Sequence, residues 1–101
     1  MNKEAKAAWV TALRSGHWKQ GRSSLRWKDE FCCLGVLCDL GEKKDWLEIG
    51  GLYYYEGETN YLPEEVAISA GLTRAQQTFL AGMNDDGKSF EEIAEWIEKC
   101  L

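Results

Sequence analysis

The sequence predicts a mainly helical α+β domain: about five helices packed around a buried cysteine-rich helix, with a small β-hairpin or short antiparallel sheet. Three observations lead there. Apolar residues recur at helical spacing near both ends of the chain. The stretch "FCCLGVLCDLG" (31–41) is apolar almost throughout, and aromatic residues of β-type composition gather around two glycine turns between positions 46 and 61. With 101 residues, 45% hydrophobic and 29% charged, the chain suits one domain (1–101) closing a single core.

Each element has a local reason. Over residues 3–15, Ala5, Ala8, Trp9, Ala12 and Leu13 share a helical stripe that Lys3, Lys6 and Arg14 avoid, and Gly16 is placed to end the helix. "HWKQGRSS" is a loop, followed by a short strand at 25–27. The 31–41 run shows neither helical nor alternating periodicity. Its length, its leucines, its single β-branched Val36 and its terminal Gly41 favour a helix buried nearly all round, with a buried strand as the alternative. "GEKKD" is a polar turn. Residues 52–55 and 59–61 read as a hairpin, joined by 46–49 as a third strand, which must lie on the helices to be stable. Pro63 opens a short helix that Gly71 stops. Thr73 with Gln76, and Ser89 with Glu92, are capping boxes. The first begins a helix burying Ala75, Phe79, Leu80 and Met83; the second begins one burying Phe90, Ile93, Ala94, Ile97 and Leu101.

The three clustered cysteines raise the question of metal or redox chemistry. Cys32 and Cys33 are adjacent and would diverge by about 100° on a helix. They cannot both face one ion with Cys38, and only His17 and Cys100 remain to complete a set. No motif ties a cysteine to the sole histidine, so small buried hydrophobes is the preferred assignment. "GMNDDGKSFEEI" fails as a calcium loop. With Gly87 at position six, Gly82 and Ile93 occupy the two places where carboxylates belong. It reads better as a turn that leaves Asp85 and Asp86 near the positive end of the last helix. The acids follow exposed helix faces, and no phosphate-binding loop, nucleophile elbow, zinc-protease motif or dinucleotide fingerprint occurs. The expectation is a protein that is not an enzyme and needs no cofactor or metal.

Charge is unevenly distributed. Residues 1–28 carry seven bases against Glu4, a local charge of +6, while 29–101 carry five bases and sixteen acids, or -11. Within the basic block, Arg14, His17, Trp18, Lys19, Gln20, Arg22, Arg26 and Trp27 form the candidate ligand site. Guanidinium groups grip phosphate, indoles stack on bases, and Gly16 and Gly21 allow close backbone approach. A small anionic or nucleotide-type ligand fits better than extended nucleic acid, given the total charge of -5. The alternatives are an acidic protein surface as the ligand, a basic loop paired to the acidic helices, and acidic helices that bind a basic host protein. No apolar run is long enough for a membrane span. The start "MNKEAKAAWV" lacks the apolar centre of a secretory signal, so a cytoplasmic protein is expected, with self-association left open.

Several motifs carry a resemblance. Trp9 to Gly16 follow W-x-x-A-L-x-S-G, Gln20-Gly21 follows, and Cys32 to Leu40 read C-C-L-G-V-L-C-D-L. Leu62-Pro63 with Val66, Gly71-Leu72, and N-D-x-G-x-S-F-x-x-I-A-x-x-I from Asn84 to Ile97 complete the set. In these the chain resembles, over nearly its whole length, a family of small bacteriophage- and prophage-encoded proteins of unassigned function. The resemblance implies origin and fold, and transfers no catalytic residue. It implies an accessory role in the host cytoplasm, such as a host-defence antagonist that sequesters a nucleotide-type ligand or inhibits a host protein. A small hydrolase or transferase is the third alternative.

Overall fold

The structure, a computed structural model, describes residues 1–41 and 45–101. Its elements in order are α1 (Lys3–Arg14), β1 (Lys19–Gln20), β2 (Arg26–Trp27), β3 (Glu30–Phe31), α2 (Cys33–Asp39), β4 (Trp46–Ile49), β5 (Leu52–Tyr55), α3 (Glu64–Ala70), α4 (Arg74–Asp85) and α5 (Phe90–Cys100). Among the described residues this is the expected α+β architecture of five helices and a small sheet. The polar turn expected around position 43 falls on residues outside the description. Among the described residues no helix is long and apolar enough to cross a membrane.

The cysteine run is the central helix. Cys33, Leu34, Gly35, Val36, Leu37 and Cys38 of α2 are all buried. The helix is shorter than its apolar run, because Glu30 and Phe31 are drawn into β3 and Cys32 caps the helix, its sulfur accepting the Gly35 N–H at 3.4 Å. Gly35 is required by a close approach: a Cβ there would lie 1.8 Å from the Leu25 carbonyl oxygen. Trp9 of α1 is fully buried, and its indole N–H donates to the Cys33 carbonyl at 2.8 Å, locking α1 onto the start of α2.

The other helices start and stop largely as their sequences dictate. Asn2 caps α1, both capping boxes form, and Gly71 ends α3 at φ 75°. Helix α5 buries Phe90, Ile93, Ala94 and Ile97. Two expected core positions on α4 are instead exposed. Ala75 and Phe79 face outward, Phe79 lying against Trp96 at 4.8 Å between ring centres, while Gln77, Leu80 and Asn84 are buried. The buried face of α4 meets loop backbone as well as apolar side chains, so amides that bond peptide groups win those positions.

The hairpin differs from expectation. Its strands are β4 and β5, joined at Gly50-Gly51, while 59–61 contributes no strand and Glu58 makes only an isolated bridge to Tyr55. The sheet is mixed, in the order β1-β3-β2-β5-β4, with β1 parallel to β3. Register assigns the side chains to faces. Arg26, Phe31, Trp46, Glu48, Tyr53 and Tyr55 share the inner face, and Trp27, Glu30, Leu47, Ile49, Leu52 and Tyr54 share the outer one.

Candidate functional site

The basic segment is distributed over several surfaces. Arg14, at the end of α1, donates to Glu98 at 3.0 Å and Glu91 at 3.1 Å, clamping α1 to α5, and these bonds raise its pKa further. Lys19 pairs with Glu30 at 3.4 Å across the β1–β3 register. Trp18 donates its indole N–H to Asp39 at 2.9 Å; Trp46 donates to the other oxygen of that carboxylate at 3.0 Å. His17 is exposed and meets the Trp18 ring edge-on at 4.7 Å.

Gln20 is bound on three sides. Its amide nitrogen donates to Asn84 at 2.9 Å and to the Lys88 carbonyl at 2.8 Å, and its oxygen accepts the Phe90 N–H at 3.2 Å. Arg26 lies over the Tyr53 ring, 3.8 Å from its centre, and also faces Phe31 at 4.8 Å, while its Nε donates to the Lys28 carbonyl. Trp27, its neighbour in β2, points to the opposite face, and its ring runs along Gly51. Arg26 and Trp27 therefore do not line one hollow. Arg22 stays exposed near Gly87, and Asp85, expected at the α5 terminus, accepts the Ser23 N–H at 2.9 Å.

The three buried cysteines offer little nucleophilic character. Burial pushes the Cys32 thiol up to about 11 and those of Cys33 and Cys38 well above their ordinary value. Cys33 sits 3.6 Å from the Leu80 carbonyl as a weak donor. Among the described residues, no group of three or more histidine, cysteine or acidic side chains is placed to hold a metal ion.

A different place has the form of a binding site. Between α1, α2, β5 and α3 lies a hollow of about 420 Å³, lined by Ala5, Leu37, Cys38, Tyr55 and Val66, with Glu56 and Glu65 also on its wall. Both glutamates are exposed and have no basic partner among the described residues. Glu56 holds a left-handed backbone at φ 48°, which fixes the turn that carries its carboxylate. The acids were legible as an exposed pattern; that Glu56 and Glu65 border one hollow was not, since one stands in a turn and the other on a helix that only the folded chain brings to it. The one usable sign was an aromatic run ending in "EGE", with four residues between it and a Pro-initiated acidic helix.

The chain belongs to the DUF8296 family, described as a domain of unknown function, whose model matches residues 1–101. No curated protein and no solved structure matches it.

Proposed function

We propose that this DUF8296 domain acts by binding and does no chemistry on its ligand, which is a basic segment of another protein held on the acidic face around β5 and α3. The hollow containing Glu56 and Glu65 carries the proposal. A lysine or arginine suits it: the aliphatic stem lies along Tyr55, Leu37 and Val66 while the charged head meets two carboxylates. Exposed Asp45, Glu58 and Glu64 extend the same sign of charge, and the net charge of -5 favours encounter with a basic partner. Taken with the resemblance to phage-encoded proteins, the role is that of an accessory inhibitor engaging a host protein in the host cytoplasm. Calorimetric titration with a lysine-rich peptide tests this. Binding should weaken with added salt and in Glu56→Gln and Glu65→Gln; binding indifferent to both substitutions, or none at all, contradicts the proposal.

The second reading is capture of a small phosphate-bearing ligand by the basic segment, and one observation favours it. The Trp27 indole is 43% exposed, with the Lys28 ammonium 5.8 Å from its ring centre, so a stacking surface and a cation lie side by side. A nucleotide at one hundred times its dissociation constant would add about 2.7 kcal/mol of stability. A thermal shift with a nucleotide that is lost in Trp27→Ala selects this reading over the first.

A further inference from the structure

We infer that the open edge of β4 receives an extended segment of the partner as a sixth strand, one in which basic residues alternate with apolar ones. This rests on the protein-binding function proposed above and specifies its mode. Strand β4 ends the sheet order. The Lys28 N–H donates to the Gly51 carbonyl at 2.7 Å, and Tyr55 and Glu58 exchange two bonds of 2.9 Å. These turn the backbone groups of Tyr53 and Tyr55 away from β4. The alternate residues Leu52 and Tyr54 then bond Ile49 and Leu47. The N–H and C=O groups of Trp46 and Glu48 are consequently left facing the open edge, and no described residue takes them.

Natural sheets blunt such edges with charged side chains, lysine above all, with proline, bulges or a covering element. The single charge within β4, Glu48, repels acidic strands and admits a basic one. The sequence Trp-Leu-Glu-Ile has neither lysine nor proline, and its register with β5 is unbroken over all four residues. Side chains at the edge specify the occupant. Leu47 and Ile49 are 61% and 59% exposed on the outer face, so an added strand would place apolar residues beside them. On the inner face stands exposed Glu48, and the register brings Asp45 and Glu56 to one end of the hairpin. A strand with lysine or arginine on that face complements them, whereas a second copy of β4 would bring Glu48 near its own counterpart. The incoming segment is therefore basic and foreign to this chain.

The test uses the whole protein and a nine-residue peptide of alternating lysine and valine. Binding should slow hydrogen exchange at the Trp46 and Glu48 amides at least tenfold. Of two versions N-methylated at alternate residues, one along each edge of the peptide, only one should still bind. Both binding alike, or both failing alike, overturns strand addition. Glu48→Pro removes an N–H that the β4–β5 ladder does not use, and with it the carboxylate that accepts the Gly51 N–H at 2.7 Å. A folded Glu48→Pro should lose the peptide, whereas Glu48→Gln, which keeps the backbone N–H, should only weaken it. A lysine–glycine peptide that binds as well as the lysine–valine one sinks the sixth strand while leaving the acidic-face function intact. Failure of both peptides removes that function too. Concentration-dependent dimerisation abolished by Glu48→Pro would assign the edge to a second copy and overturn the inference.

Discussion

Gln20 and Asn84, 64 positions apart, are joined by a hydrogen bond of 2.9 Å from the glutamine amide nitrogen to the asparagine oxygen. Asn84 is fully buried, and the same oxygen accepts the Cys33 N–H at 3.3 Å while its amide donates to the Gly21 carbonyl at 2.7 Å. One side chain thus ties the basic segment, the start of the central helix and the end of α4 together. Gln20 is part of this frame.

Asn84→Ala should cost about 3 kcal/mol, because it leaves several polar groups without partners, each worth about 1–3 kcal/mol when buried. Gln20→Ala should cost less, since its other contacts lie nearer solvent. Urea unfolding of both variants checks the order; a neutral Asn84→Ala contradicts the assignment.

Arg26 and Arg22 should separate. Arg26 rests on Tyr53 and Phe31, and Arg26→Ala should lower stability by about 1 kcal/mol through lost stacking and packing. Arg22 has an exposed side chain and no ion pair among the described residues, so Arg22→Ala should leave the melting temperature nearly unchanged. Equal effects would place both arginines in one site.

Thiol labelling at neutral pH should be selective. Cys100 is exposed, while Cys32, Cys33 and Cys38 are buried and their thiols are held protonated. Native protein should react quickly at one thiol, and unfolded protein at four. Cys33→Ser should cost about 1 kcal/mol, the low end of the range for a buried hydroxyl, because the Leu80 carbonyl that the sulfur approaches can accept its hydrogen bond. Fast labelling of two or more native thiols would show that α2 is not the centre of the fold.

Acid should act partly through Glu92. Its carboxylate accepts the Ser89 N–H at 3.0 Å, and that bond, together with the Ser89 hydroxyl beside it, holds its pKa below the ordinary glutamate value; in return the Ser89 oxygen accepts the Glu92 backbone N–H at 3.1 Å. A lowered folded value means the contribution is complete above about pH 4.3 and is lost as pH falls through the lowered pKa. Between about pH 6 and about pH 3, native protein should lose more melting temperature than Glu92→Gln, which keeps the bond and cannot titrate. The neighbouring Glu95–Lys99 pair is present in both and cancels. Parallel curves contradict the assignment.

Helix identities were legible because their signals are local: caps at Thr73 and Ser89, glycine stops at Gly16 and Gly71, and an apolar run at 31–40 too long for an ordinary strand. The two-residue strands were illegible apart from β2, since Lys19-Gln20 acquires strand geometry only from Glu30-Phe31, which in turn is held by its pairing with Arg26-Trp27. Polar residues misled for a related reason. Composition shows that Gln20, Arg14 and Trp18 can bond a ligand, and only the fold shows that Asn84, Glu98 and Asp39 already occupy them. Conversely, Glu56 and Glu65 belong to separate local patterns and border one hollow only in the folded chain.

The most direct measurement is a backbone amide NMR titration of the whole protein with the lysine–valine peptide and, separately, with a nucleotide. Peptide-induced shifts should concentrate at Trp46, Glu48, Glu56 and Glu65, with Arg22, Trp27 and Lys28 unmoved and no response to the nucleotide. Shifts from the nucleotide at Arg22, Trp27 and Lys28, with the peptide silent, would contradict the account and return the function to the basic segment.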